Sequence, residues 1–463
     1  MTLPHLMLGA LVALGAVPAA AATPLKIEPT TFKLADGTNL PVERGGFSVP
    51  EDRNDRRSRR IEIGFIRFKS TAARPGRPIV YLAGGPGGSG VGAAQGARQP
   101  VFLALRAVAD VIALDQRGVG LSNHIPPCTA GRKLEPAEPL TEASLSAYYR
   151  ETLDGCLVQW RSAGVAVKGY TTEQSADDIE ALRLALGAQK LDLWGISYGT
   201  HLAFATMRRH PRSIGRVALA SAEGMDQTVK LPAHVDATFE RIERFAPGLR
   251  ARMRRVHARF DSAPQTFTLS KGGPSFSADS FPLRMMAGIL PKNPDGIGQL
   301  AGAYQALEAS RTEALAPLIY GHFFKNPLTM NGMTELMDLS SGITGSRLAL
   351  VRRQAAASLV GTATNFPMPQ LRGSVPGLDL GDGFRREIVS AIPVLLLSGE
   401  LDVRTPLEEQ AAATAGLKRL HRILVRNGGH DLFEAHPDVP GILVDFFSGR
   451  KVAVTELKLP EPK

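Results

Sequence analysis

Short apolar runs recur along this chain between longer stretches whose apolar positions fall three and four apart. The runs at 61–68, 79–82, 111–115, 191–195, 217–221, 394–398 and 422–425 read as buried strands. Between them lie helical patterns, among them 175–186, with Ser175 as N-cap, and 200–208. Strands that alternate with helices predict an α/β fold, a mostly parallel sheet covered by helices on both faces. From 224 to 391 the alternation stops. There the chain reads as helices at 233–257, 297–311, 333–339 and 348–359, broken by Gly/Pro segments. The expected organisation is therefore a core in two parts, 23–223 and 392–463, with a large, mainly helical cap at 224–391 over a site between them.

Chemistry-bearing residues fall in the loops that leave these strands. Gly195-Ile196-Ser197-Tyr198-Gly199 joins a strand to a helix. Such a match alone is frequent by chance. A strand that turns sharply into a helix strains the backbone at the serine, and glycines two positions either side avoid clashes. Ser197 would then be exposed above the sheet, with the Tyr198 N–H aimed at a developing oxyanion. A serine hydroxyl also needs a base and an orienting carboxylate. Asp402 stands in the loop after 394–398, with Glu400 as a rival two residues earlier, and the turn position with the following Thr405-Pro406 favours Asp402. His430 follows Asn427-Gly428-Gly429 after the strand 422–425, whereas His201, His210 and His257 lie in helix-like or basic stretches. Asp431 reads as a loop or helix cap.

A third loop, Ala83-Gly84-Gly85-Pro86-Gly87-Gly88-Ser89-Gly90, follows the strand 79–82. A glycine-rich loop after a strand can cradle phosphate. This one lacks the lysine and the spacing of a nucleotide loop. Pro86 removes a donor N–H and stiffens the turn, which suits a fixed oxyanion hole made by the Gly85 and Tyr198 N–H groups.

Taken with Asp115-Gln116-Arg117-Gly118-Val119-Gly120-Leu121-Ser122, these blocks resemble the α/β-hydrolase peptidases related to prolyl aminopeptidase, in particular the secreted tripeptidyl-aminopeptidase-like branch. The likeness implies an α/β-hydrolase fold with Ser197 as nucleophile, Asp402 as orienting acid and His430 as general base. Ala83 departs from the histidine or Asn-Pro expected before the glycine loop, and Ala220-Ser221-Ala222-Glu223-Gly224 departs from the expected Asp-Gly type. These departures leave the triad intact and the substrate range open. An exopeptidase must also hold a free ammonium, for which Glu223 is the first candidate and Asp226 and Asp338 the next. The implied activity is a serine exopeptidase working on peptides. The alternative is a carboxylesterase or lactonase on the same scaffold.

Residues 1–22 carry an apolar stretch and a small-residue cleavage site, Ala20-Ala21-Ala22, and read as an export signal. An exported, periplasmic or secreted chain with two cysteines is expected to pair Cys128 with Cys156. No Cys/His spacing suggests a metal, and no cofactor is expected. The formal charge of +10 raises a nucleic-acid reading. The two arginine runs, 53–60 and 250–259, have no interleaved aromatics for stacking, so no nucleic acid and no integral membrane segment after cleavage are expected.

Overall fold

The computed structural model describes residues 24–269 and 273–462; the expected export signal lies outside them. Ten strands form one sheet. In chain order they are β1 (Lys26–Lys33), β2 (Asn39–Pro50), β3 (Arg60–Phe68), β4 (Ile79–Leu82), β5 (Val111–Leu114), β6 (Leu191–Ile196), β7 (Ile214–Ala220), β8 (Val394–Gly399), β9 (Leu420–Arg426) and β10 (Glu456–Lys458). Their spatial order is β1-β2-β3-β5-β4-β6-β7-β8-β9-β10. The strands from β5 to β10 are parallel, and β1, β2 and β3 extend the sheet as an antiparallel edge. All seven predicted strands are present. β1, β2 and β10 were not predicted: β1 is exposed at most of its positions, and of the three residues of β10 Leu457 alone is buried.

Alternation along the central strands builds two cores. Val80, Leu82, Leu193, Val217 and Leu396 pack on one face of the sheet. Ile79, Tyr81, Trp194, Ala218 and Leu397 pack on the other. Each face is covered, as runs of buried apolar residues require. The helices that position the site are α1 (Gly90–Gln95), α2 (Glu142–Ser162), α3 (Thr172–Ala185) and α4 (Tyr198–Arg209). α3 begins earlier than predicted: Thr171, not Ser175, is its N-cap, accepting a hydrogen bond from Gln174 N.

Between β7 and β8 the chain is mainly helical, with α5 (Pro232–Ile242), α6 (Leu249–Ser262), α7 (Asp295–Glu308), α8 (Met333–Ser341) and α9 (Gly345–Ala355). The pattern expected as one helix over 233–257 is two, divided at Pro247-Gly248, where Gly248 takes φ 79°. A two-stranded hairpin, Gln265–Thr268 with Ser275–Ala278, was not foreseen. Much of this segment packs in a second apolar core, shared with Leu134, Leu140, Leu145 and Tyr148 and entered by Leu401 and Val403 of the loop after β8.

Cys128 and Cys156, 28 positions apart in sequence, form a disulfide. It ties α2 to a short strand, Cys128–Thr129, that pairs with Thr329–Met330 of the helical segment. No helix among the described residues is long and apolar enough to cross a membrane. Closing a loop of this length is worth about 3 kcal/mol of unfolding free energy. The Cys128→Ser/Cys156→Ser variant is therefore expected to lose roughly that much in a denaturant titration.

Candidate active site

The turn from β6 into α4 is built on close backbone approach. Ser197 sits at φ 56°, ψ −129°, a region that costs a non-glycine residue about 1–3 kcal/mol. A Cβ at Gly195 would lie 2.8 Å from Gly199 O, and one at Gly199 would lie 2.1 Å from Leu82 O at the end of β4. Ser197 N donates to Ala220 O at 3.2 Å, while its carbonyl accepts from Thr200 N and Thr200 Oγ1 at 2.8 and 2.7 Å. The hydroxyl makes no hydrogen bond to any described residue. Ser197 lines an open cleft of about 530 Å³ together with Gly84, Gly85 and His430.

His430 Nδ1 lies 3.0 Å from Asp402 Oδ2 and 3.1 Å from Oδ1. Asp402 is fully buried and also accepts from Arg404 N at 2.8 Å, Thr405 N at 2.9 Å and Thr405 Oγ1 at 2.6 Å. Burial pushes its carboxyl up, but the His430 charge and these hydrogen bonds outweigh burial and hold it below the ordinary aspartate range. An ionised Asp402 keeps the proton on Nδ1 and leaves Nε2 as the basic nitrogen. Glu400 turns away. It binds Arg244 at 2.9 and 2.6 Å and accepts from Asn427 N at 3.0 Å.

The His430 backbone is held from both sides. Its N–H donates to Lys292 O at 2.8 Å, and its carbonyl accepts from Ser221 Oγ at 2.7 Å. Asp431 is not a cap, as expected from its loop, but the centre of an ionic cluster with Arg98, Lys292 and Asn293. The rival histidines are occupied elsewhere: His201 with Ser341, His210 with Asp177 and His257 with Tyr304.

The glycine loop is held by the block after β5. Asp115 accepts from Ser89 Oγ at 2.7 Å and Leu121 N at 2.8 Å, and Gln116 Nε2 donates to Ala83 O at 3.1 Å. Arg117 is fully buried, paired with both oxygens of Asp178 at 2.7 Å and donating to Glu51 O at 2.6 Å. Gly85 takes φ 125°, open to glycine and strained for other residues, and its N–H has no partner among the described residues. Tyr198 N–H belongs to the first turn of α4, which has no intrahelical acceptor.

Ser197 and Gly85 also line a second, smaller and more enclosed cavity of about 90 Å³. Glu223, Lys230, Asp338 and Arg404 share it with Phe366, Pro367 and Met368. Glu223 pairs with Lys230 Nζ at 2.5 Å. The Asp338 side chain has no hydrogen bond or ion pair among the described residues. Enclosure pushes its carboxyl up to about 8, aided by the charge of Glu223 and opposed by Lys230 and Arg404. Asp226 is not at the site: it accepts from Thr344 N and Oγ1 at 2.9 and 2.6 Å, at the start of α9. Thr405, Ser221 and Lys292 were not foreseen. Ser221 could have been suspected from its place directly after β7, whereas the Lys292 contact is a backbone carbonyl with no side-chain signal.

On this geometry, Asp402→Asn is expected to lower turnover of any hydrolysed substrate by about 10⁴-fold, through the wrong histidine tautomer. Glu400→Gln should leave steady-state turnover within about 3-fold, since the pairs it loses are partly exposed.

A family model for the alpha/beta hydrolase fold matches residues 77–437. The chain is 31% identical over 193 residues to the tripeptidyl aminopeptidase of Streptomyces coelicolor, a match covering 39% of this chain and 35% of that protein. It is 28% identical over 186 residues to the serine protease Hip1 of Mycobacterium tuberculosis, covering 38% and 35%. The matched region thus spans about a third of the length of these relatives. The solved proline iminopeptidase of Mycobacterium smegmatis aligns at a TM-score of 0.40 and 16% identity, over 84% of this chain and 95% of that one. The ten-stranded, mostly parallel sheet, the strained turn at Ser197 and the family match over residues 77–437 place this chain in the alpha/beta hydrolase fold family.

Proposed function

We propose that this chain is an exported serine hydrolase that removes N-terminal residues or short peptides from peptide substrates. The observation that carries this reading is the enclosed cavity beside Ser197, where two carboxylates face a space of about 90 Å³. Its small size suits a short N-terminal acyl group, and a carboxylate is the group that an N-terminal ammonium needs. The open cleft of about 530 Å³ on the other side of Ser197 leaves room for the rest of the peptide.

The steps follow from the positions of the groups. Ser197 Oγ attacks the scissile carbonyl as its proton passes to His430 Nε2. The carbonyl oxygen becomes an oxyanion within reach of the Gly85 and Tyr198 N–H groups, each worth on the order of 3 kcal/mol to the transition state. His430 returns the proton to the leaving amine, the C–N bond breaks and an acyl-enzyme remains. Water, deprotonated by His430, then releases the N-terminal fragment and restores Ser197. Export is supported by the Cys128–Cys156 disulfide, which persists in oxidising compartments.

For the ammonium, Asp338 is the better-placed carboxylate, since Glu223 is already matched by Lys230. The pairing of Glu223 with Lys230 favours a second reading, ester hydrolysis by the same serine. Naphthylamide peptides with free and N-acetylated termini, run beside a p-nitrophenyl ester, separate the two. Cleavage of only the free-amine peptides, abolished in Ser197→Ala, supports the peptidase; ester turnover without amide cleavage overturns it.

A pH dependence follows. Asp338 is neutral well below about 8 and anionic above it, and a peptide ammonium loses its proton near about 8. Ammonium binding must therefore displace the Asp338 proton at lower pH. KM for free-amine substrates is expected to fall as pH rises from about 6 towards 8, while KM for the ester stays flat. Asp338→Asn should flatten the peptide profile and raise KM there.

A further inference from the structure

α8 meets the site at two points one helical turn apart. Asp338 lines the enclosed cavity beside Ser197. Thr334, four residues earlier and so on the same face of the helix, reaches the glycine loop. Its Oγ1 donates to Pro86 O at 2.9 Å. The same oxygen lies 2.6 Å from where a Cβ on Gly87 would stand, so the loop packs directly against this side chain.

The loop needs such a tie. Gly85 and Gly87 take φ 125° and 94°, and glycine backbones have many alternatives to choose among. The ends of the loop are anchored by Gln116 to Ala83 O and by Asp115 to Ser89. At its crown, Pro86 O accepts a hydrogen bond from Thr334 and from no other described residue. α8 is a firm support: Met333, Leu336 and Met337 are buried in the main core, and Glu335 caps its start by accepting from Gly332 N at 2.8 Å.

We infer that Thr334 is a positioning residue for the oxyanion hole, holding the 85–87 backbone so that Gly85 N–H aims at the reacting carbonyl oxygen. The inference rests on the reading of Ser197 as nucleophile and Gly85 N–H as oxyanion donor. It makes the cap part of the catalytic scaffold, because the helix that carries Asp338 also sets the donor.

Thr334→Val keeps the shape and removes the hydroxyl; Thr334→Ser keeps the donor. With matched peptide and ester substrates, Thr334→Val is expected to lower kcat about 10- to 100-fold, part of the loss seen when an oxyanion donor is removed. KM should change less than about 2-fold, because the ground-state carbonyl engages the donor weakly. Thr334→Ser should recover most of kcat. A peptide aldehyde that forms a tetrahedral adduct should bind Thr334→Val more weakly by the same factor, while a product amine competes as before. Unchanged kcat in Thr334→Val overturns the inference. So does a loss shared equally by KM and product binding, or one that Thr334→Ser fails to recover while its melting temperature is native. If Thr334→Val does not fold, Thr334→Ser and Thr334→Ala carry the same comparison. Full activity in Ser197→Ala would instead overturn the underlying reading.

Discussion

The site depends on one close crossing of backbones. Where α4 leaves β6, the Gly199 backbone lies so near Leu82 that a methyl group would stand 2.1 Å from its carbonyl oxygen. That crossing brings the Ser197 turn and the glycine loop against each other: a Cβ on Gly84 would lie 2.9 Å from Ser197 Cβ. Neither chain can move away without opening a well-packed sheet core, whose density resists such rearrangement. The strain at Ser197 is therefore sustained by parallel pairing of β6 with β4 and β7 on either side.

Around that crossing, the mainly helical segment between β7 and β8 touches each of the other three loops of the site. Lys292 O receives the His430 N–H, and Thr334 holds Pro86 O. Leu401 and Val403, either side of Asp402, are buried in the apolar core that much of the segment helps to form. Burial of these neighbours anchors the carboxylate from both sides by apolar packing. Removing the segment would therefore strip a contact from the Asp402, His430 and glycine loops together.

Charge follows a different logic. At least half of the arginines in the two basic runs meet a carboxylate within the fold. Arg53 meets Asp178 and Arg59 meets Glu51, while Arg252 and Arg255 share Glu308. Pairs as exposed as those with Glu308 add little to stability, because water screens them. The buried pair of Arg117 with Asp178, by contrast, secures the block that braces the glycine loop.

The sequence by itself determined the elements whose signals are local. Central strands were legible as apolar runs, and Ser197, Asp402 and His430 stood out because glycine turns at strand ends leave few ways for a chain to run. Features that depend on contacts between distant segments were not legible. Thr405-Pro406 pointed to Asp402 over Glu400, but not to the contacts that separate them: Leu401 and Val403 pack in a core with remote segments, and Arg244 and Arg426 claim Glu400. Thr334 reaches Pro86 across 248 positions, and His430 N–H finds a backbone carbonyl that no residue type advertises. Local backbone constraints are written in residue types and short spacings; which side chain meets which partner across the site is decided only when the packed core fixes their distances.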